Sequence, residues 1–248
     1  MHGGDLLSSK QIQPFAAFNI THPLLDVNYE IVFFTWLILL ALLVFTLPVR
    51  YILQNKKSVT RYLILEYVRF FADLVTQTIG HFSFNHFAFV TALFTFIFLC
   101  NTFPIVPWVE EPTKDLNTAL ALGLISFFYT QVYAIKANGF KAYIKEYFAP
   151  FFLMFPLHLI SKLSSIISIS FRLWGNIFGG ATVMHIFLEL IKGHLLFETL
   201  ALISGLNLLL LLFFGIFEGF LQAFVFTMLT VTYLSIALQP EESDKEHA

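Results

Sequence analysis

Apolar runs long enough to cross a bilayer alternate along this chain with short stretches in which charge returns. Residues 31–49 are free of charge over about 19 positions, enough for a helix to span a hydrocarbon core of ~30 Å, and the run ends at Pro48 and Arg50. From 56 to 79 the pattern changes: Leu63, Tyr67, Phe70 and Leu74 recur at helical spacing, while Glu66, Arg69, Asp73 and Gln77 line the opposite face. That is the signature of an amphipathic helix lying in the membrane surface or on a soluble partner. Residues 86–103 form the next span, with Asn101 and Thr102 at its far end. A proline-rich acidic connection with an interfacial Trp108 follows, and then a span over 115–135. Asp115 is placed to cap that helix. Lys136, Lys141 and Lys145 flank Asn138-Gly139 in a second short amphipathic stretch.

The last two apolar elements, 150–191 and 199–238, exceed what an upright crossing needs. Residues 156–193 alone correspond to ~57 Å of helix, nearly twice the core thickness. Both are apolar almost throughout, so strong tilt must absorb the excess. The pattern therefore predicts an all-α polytopic membrane protein, a single membrane domain over 1–248. It has five membrane-crossing helices plus the surface amphipathic helix, and the last two crossings form a long, tilted hairpin. Segment 1–28 lies outside and the charged tail 239–248 inside. The orientation rests on lysine and arginine: five in 50–69 and three in 136–145, against one each in 104–114 and 191–198. Basic loops remain cytoplasmic.

Composition agrees. Of 248 residues, 58% are hydrophobic and 12% charged, with a mean hydropathy of +0.78, whereas soluble domains carry about 25% charge. One cysteine, Cys100, excludes a disulfide framework and reads as a small core residue. The net charge of −2 says little about partners, and no basic patch points to nucleic acid. No phosphate-binding loop, cofactor motif or metal-ligating cluster stands out. Residues 1–28 hold no apolar core of signal-peptide type.

Against this background the charges inside the apolar runs stand out. Arg172 lies far from either end of its run, too deep to reach the headgroups easily, and a cation there costs at least ~2.5–3.5 kcal/mol. Ser161, Ser165, Ser168, Arg172 and Asn176 follow at spacings of 4, 3, 4 and 4, which sets them on one helical stripe. The serines suit either tight helix packing with back-bonding to carbonyls or a hydroxyl-lined groove. Ala181, His185 and Glu189 lie on another face of the same helix. Glu218 and Gln222 interrupt the last apolar run.

The stretch Phe171-Arg172-Leu173-Trp174-Gly175-Asn176-Ile177-Phe178-Gly179-Gly180 resembles the R-L-x-G-N signature of subunit a of F-type ATP synthases. Pro112-Thr113-Lys114-Asp115-Leu116-Asn117 resembles that family's P-[ST]-x-D-x-N sequence, and Leu221-Gln222-Ala223-Phe224-Val225-Phe226 its L-Q-A-F-x-F run. The three motifs occur in the family's order. The resemblance implies a non-catalytic, proton-translocating stator subunit of the Fo sector, with two aqueous half-channels. It implies a ring of subunit c beside the tilted hairpin, a peripheral stalk of subunit b, and an indirect link to the F1 head. The implied location is an energy-coupling membrane, bacterial or organellar, with the N-terminus outside and the C-terminus cytoplasmic. Arg172 would face the ring carboxylate and separate the half-channels.

This chain departs from the family where Ala181 and Gly215 stand in place of the usual ionisable pair. His185 and Glu218, each about one turn away, are expected to take over proton handling. The outer path would then comprise Asn176, His185, Glu218, Gln222 and Glu189, and the inner path Ser161, Ser165 and Ser168. An ion-coupled secondary transporter with its own substrate site is the alternative, but no internal repeat supports it. A passive membrane scaffold leaves Arg172 and Glu218 unexplained.

Overall fold

The computed structural model describes residues 11–12, 27–54, 59–103, 112–148, 151–192 and 205–239. Within these, two-residue strands β1 (Gln11–Ile12) and β2 (Val27–Asn28) pair antiparallel, and helices make up nearly everything else. They are α1 (Tyr29–Thr46), α2 (Val49–Gln54), α3 (Val59–Ile79), α4 (Phe84–Thr102), α5 (Leu116–Asn138), α6 (Phe140–Phe148), α7 (Phe155–Ile191), α8 (Leu206–Leu212) and α9 (Gly219–Leu238). Five elements are long and apolar enough to cross a membrane: Tyr29–Gln54, Phe84–Thr102, Leu116–Asn138, Phe155–Ile191 and Leu208–Leu238. The chain adopts the predicted all-α architecture, with five elements fit to cross a membrane and the amphipathic helix α3 after the first of them.

Local chemistry accounts for the boundaries. Asp115 caps α5, its Oδ1 accepting the Asn117 amide at 3.0 Å. Gly139 ends the same helix at φ +80°, a left-handed residue that a side chain would strain. The first crossing continues past Pro48, where the sequence suggested a stop. Proline lacks an N–H but fits the first turn of a new helix, and its carbonyl accepts the Ile52 amide at 2.9 Å. Pro156 likewise occupies the first turn of α7. The 37 residues of α7 correspond to about 55 Å, the overlong element expected. The last crossing is not one regular helix: Phe213–Glu218, between α8 and α9, is a π-helical turn. Residues 193–204 and 240–248, which include the expected hairpin loop, the start of the 199–238 helix and most of the inner tail, lie outside the described residues, as do most of 1–28.

The helices group into two compact units, each assembled from separate segments. One comprises Met1–Asn55, Phe96–Thr118 and Trp174–Gln222. Ile38, Ile97 and Cys100 are fully buried there, and α1 packs on the short 3₁₀ turn Pro112–Lys114. Every other side chain of α1 is at least partly exposed, as lipid contact permits.

The other unit comprises Lys56–Thr95, Ala119–Leu173 and Ala223–Ala248. Phe71 and Val75 of α3 are buried, Phe71 against Phe94 of α4 with ring centroids 4.9 Å apart. On the apolar face of α3 read from the sequence, Leu63 and Phe70 are exposed, and the Tyr67 hydroxyl bonds Thr95 Oγ1 at 2.7 Å. At α5, Gly123 faces α7 so closely that a Cβ there would lie 2.1 Å from Ser170 Oγ. His86, buried on α4, bonds Tyr129 of α5 through Nδ1 at 3.0 Å. Two polar ties close the far end: Ser235 Oγ donates to the Thr78 carbonyl at 2.6 Å, and Asn138 Nδ2 to the Ala237 carbonyl at 3.3 Å.

Candidate functional site

Within the first unit, α7 and the last crossing line a partly open cavity of about 210 Å³. One water needs ~10–15 Å³ by this measure, so several fit. From α7 come Asn176, Ile177, Gly180, Ala181 and Met184, spaced as one helical face. The last crossing adds Leu210, Leu211, Phe214, Gly215, Glu218, Gly219 and Gln222, and Asn101 of α4 completes the wall. The lining is thus mostly apolar, with four convergent polar side chains.

Two of these are tied together. Asn176 Nδ2 donates to Gln222 Oε1 at 2.7 Å. Gln222 is only 3% exposed, yet among the described residues its Nε2 has no hydrogen-bond partner. A buried donor left over in a polar cavity is suited to hold a water or a passing polar group. Glu218 reaches towards α7, where Gly180 makes room for it. A Cβ on Gly180 would lie 3.5 Å from Glu218 Oε2 and 3.0 Å from the Phe214 ring. The cavity gathers one carboxylate, Glu218, and three side-chain amides, Asn101, Asn176 and Gln222, in an otherwise apolar wall with room for water; the described residues hold no metal-binding cluster.

The structure brings together Asn176, Glu218 and Gln222 from the outer path the sequence suggested. His185 and Glu189 do not join them: both are exposed and face each other, Nδ1 to Oε2 at 3.8 Å. Among the described residues, His185 and Glu218 share no hydrogen bond or ion pair. Helix geometry is the reason. Four residues turn 400°, so each step from Ala181 to His185 to Glu189 drifts ~40° around α7. Ala181 still lines the cavity, and the next two have turned away from it.

In the second unit, Ser161 and Ser168 are exposed, while Ser165 is half-buried and donates to the Ser161 carbonyl at 3.0 Å. Arg172 is exposed and, among the described residues, has neither an ion pair nor a hydrogen bond. It precedes Asn176 by four residues in α7.

Comparison of the sequence with known proteins gives a family assignment. A family model described as ATP synthase A chain matches residues 32–235. The chain belongs to that family. Its relatives include the ATP synthase subunit a of Moorella thermoacetica, 31% identical over 207 residues, which cover 84% of this chain and 89% of the relative. That of a Hydrogenobaculum species is 31% identical over 191 residues, with 75% and 85% covered. The Aliarcobacter butzleri protein is 38% identical over 152 residues, covering 59% and 61%. As a member of the ATP synthase A chain family with five membrane-crossing helices, this is an integral membrane protein.

Two features of this family member were not read from sequence as parts of a site. Asn101 was visible only as a polar end to an apolar run, and nothing placed it beside residues more than a hundred positions later. The π turn has no pattern of its own: Phe213–Glu218 reads as ordinary apolar helix, and Gly215 and Gly219 were its only irregular signals.

Proposed function

We propose that this chain is the proton-translocating stator subunit of the Fo sector, itself non-catalytic. The observation that carries the reading is the cavity holding Glu218 beside the Asn176–Gln222 pair; Arg172 of α7, four residues before Asn176, is exposed and unpartnered among the described residues. An intramembrane arginine without a partner of its own calls for one from outside. A carboxylate on a neighbouring ring of subunit c is the matching group, and family membership supports that partner.

In this reading protons enter from the outside past His185 and Glu189, reach Glu218, and pass by way of Gln222 and Asn176 to the ring carboxylate. The unpaired Gln222 donor orients the water that carries the last step. Arg172 then acts by charge. A cation within ~4–6 Å lowers a carboxyl pKa by 1–3 units, so the ring site must release its proton before it passes. Release goes to the cytoplasmic side along Ser168, Ser165 and Ser161. The same positive charge repels protons and prevents a direct short circuit between the two half-channels. The subunit b stalk holds the chain against rotation, the F1 head performs the ATP chemistry, and the N-terminus lies outside with the C-terminus in the cytoplasm.

The test is ATP-driven proton pumping by the assembled enzyme in vesicles. Glu218→Gln should slow pumping while ATP hydrolysis and assembly persist. Pumping at the parental rate would remove Glu218 from the path.

A further inference from the structure

The last crossing presents Leu210, Phe214, Glu218 and Gln222 to one cavity although they are spaced by fours. In a regular α-helix three such steps drift ~120°, which would turn one end of the row out of the cavity. The π turn over Phe213–Glu218 inserts in effect one extra residue, winding back ~100° and restoring the row. Such a turn is unfavourable on its own, so something must hold it.

Asn101 is in position to do so. It is 4% exposed and engages both ends of its amide: Oδ1 accepts from Thr113 Oγ1 at 3.0 Å, and Nδ2 donates to the carbonyl of Gly219 at 3.4 Å. Thr113 is itself fully buried. Gly219 directly follows the π turn, and a Cβ there would lie 2.9 Å from the Asn101 Cβ, so only glycine permits the approach. We infer that Asn101, anchored by Thr113, is a positioning residue. It clamps the backbone at Gly219 and thereby keeps the π turn wound, with Glu218 in the cavity.

The inference goes beyond the proposed proton path and rests on it only for its effect on pumping. The clamp itself is read by oxidative cross-linking in membranes holding the assembled enzyme, after Cys100→Ala. Cysteines placed at 180 and 214 should join, because a Cβ at 180 lies 3.5 Å from Phe214 Cγ, the position a cysteine sulfur there can take; cysteines at 180 and 213 should not. Asn101→Leu and Thr113→Val should each lower the 180–214 yield roughly 2–10-fold, the range one ordinary hydrogen bond spans, and raise the 180–213 yield. Thr113→Ser keeps the hydroxyl and should retain the parental pattern. A yield indifferent to both Asn101→Leu and Thr113→Val overturns the clamp, and so does a Thr113→Ser pattern like that of Thr113→Val. If cross-linking responds as expected but Glu218→Gln still pumps at the parental rate, the clamp stands and the proton path through Glu218 fails.

Discussion

Arg172 and Glu218 illustrate how little surrounds each charge that matters. Arg172 has no counter-ion among the described residues, and in the proposed mechanism the group it faces is the ring carboxylate of another chain. Arg172→Ala should abolish ATP-driven pumping in reconstituted vesicles while the enzyme still assembles, and should open a passive proton leak. Arg172→Lys should fail or nearly fail, because a compact ammonium lacks the planar fork that the guanidinium presents to a carboxylate. Coupled pumping retained by the alanine variant would sink the central claim. Glu218 and His185 are separated in the structure, which ranks their expected effects. Glu218→Leu should slow pumping more than His185→Leu, since one lines the cavity and the other sits exposed with Glu189. If the two are nevertheless one relay, the swapped double variant His185→Glu with Glu218→His should recover part of the loss. Equal pumping in all of these variants would leave Asn176, Gln222 and water as the outer path.

At the level of elements, α7 performs two tasks with different faces. Its packing face is tight: Gly123 of α5 leaves no room for a methyl group beside Ser170, whose buried Oγ has no hydrogen-bond partner among the described residues. Gly123→Ala should therefore destabilise the protein by about 1–3 kcal/mol, seen as a lower thermal midpoint of the assembled membrane sector. Adding Ser170→Ala removes the atom in the way and should restore most of the loss. Absence of rescue would mean that the contact is looser than the geometry indicates. The other face carries the serine stripe. With Cys100 replaced, cysteines at 161 and 168 should react with a membrane-impermeant thiol reagent from the cytoplasmic side, and cysteines at 163 and 167 poorly. All four positions are exposed on the isolated chain, so the contrast separates a wet groove from lipid contact. Uniform reactivity would mean that no inner groove exists.

For the whole molecule, the exposed apolar surface of α1 and much of α7 is a statement about solvent. In water it would drive aggregation; in a bilayer it is the ordinary lipid boundary, broken where protein partners dock. Mild detergent extraction should bring the chain out with a small ring-forming membrane subunit and a soluble ATPase head. Isolation of the chain alone, under conditions that keep related complexes intact, would contradict the stator role.

Much of this was written in the order of residues. Five apolar runs, the overlong final pair and the cap at Asp115 follow from local rules, because hydrocarbon forces each backbone polar group to be satisfied within its own helix. Three ordered motifs made the family legible as well. What the sequence could not settle was which apolar face meets protein and which meets lipid, since both are apolar. On α3 the periodicity gave an apolar face with Leu63 and Phe70, both exposed, and did not mark Phe71 and Val75, which are buried, because periodicity names an apolar face and not which neighbour covers a residue. The same limit separated His185 from Glu218. A four-residue spacing names a face only to within ~40° per step, and a π turn that no pattern announces resets the count. The tertiary contact of Asn101 with Gly219, 118 positions away, is what decided which polar residues share one cavity.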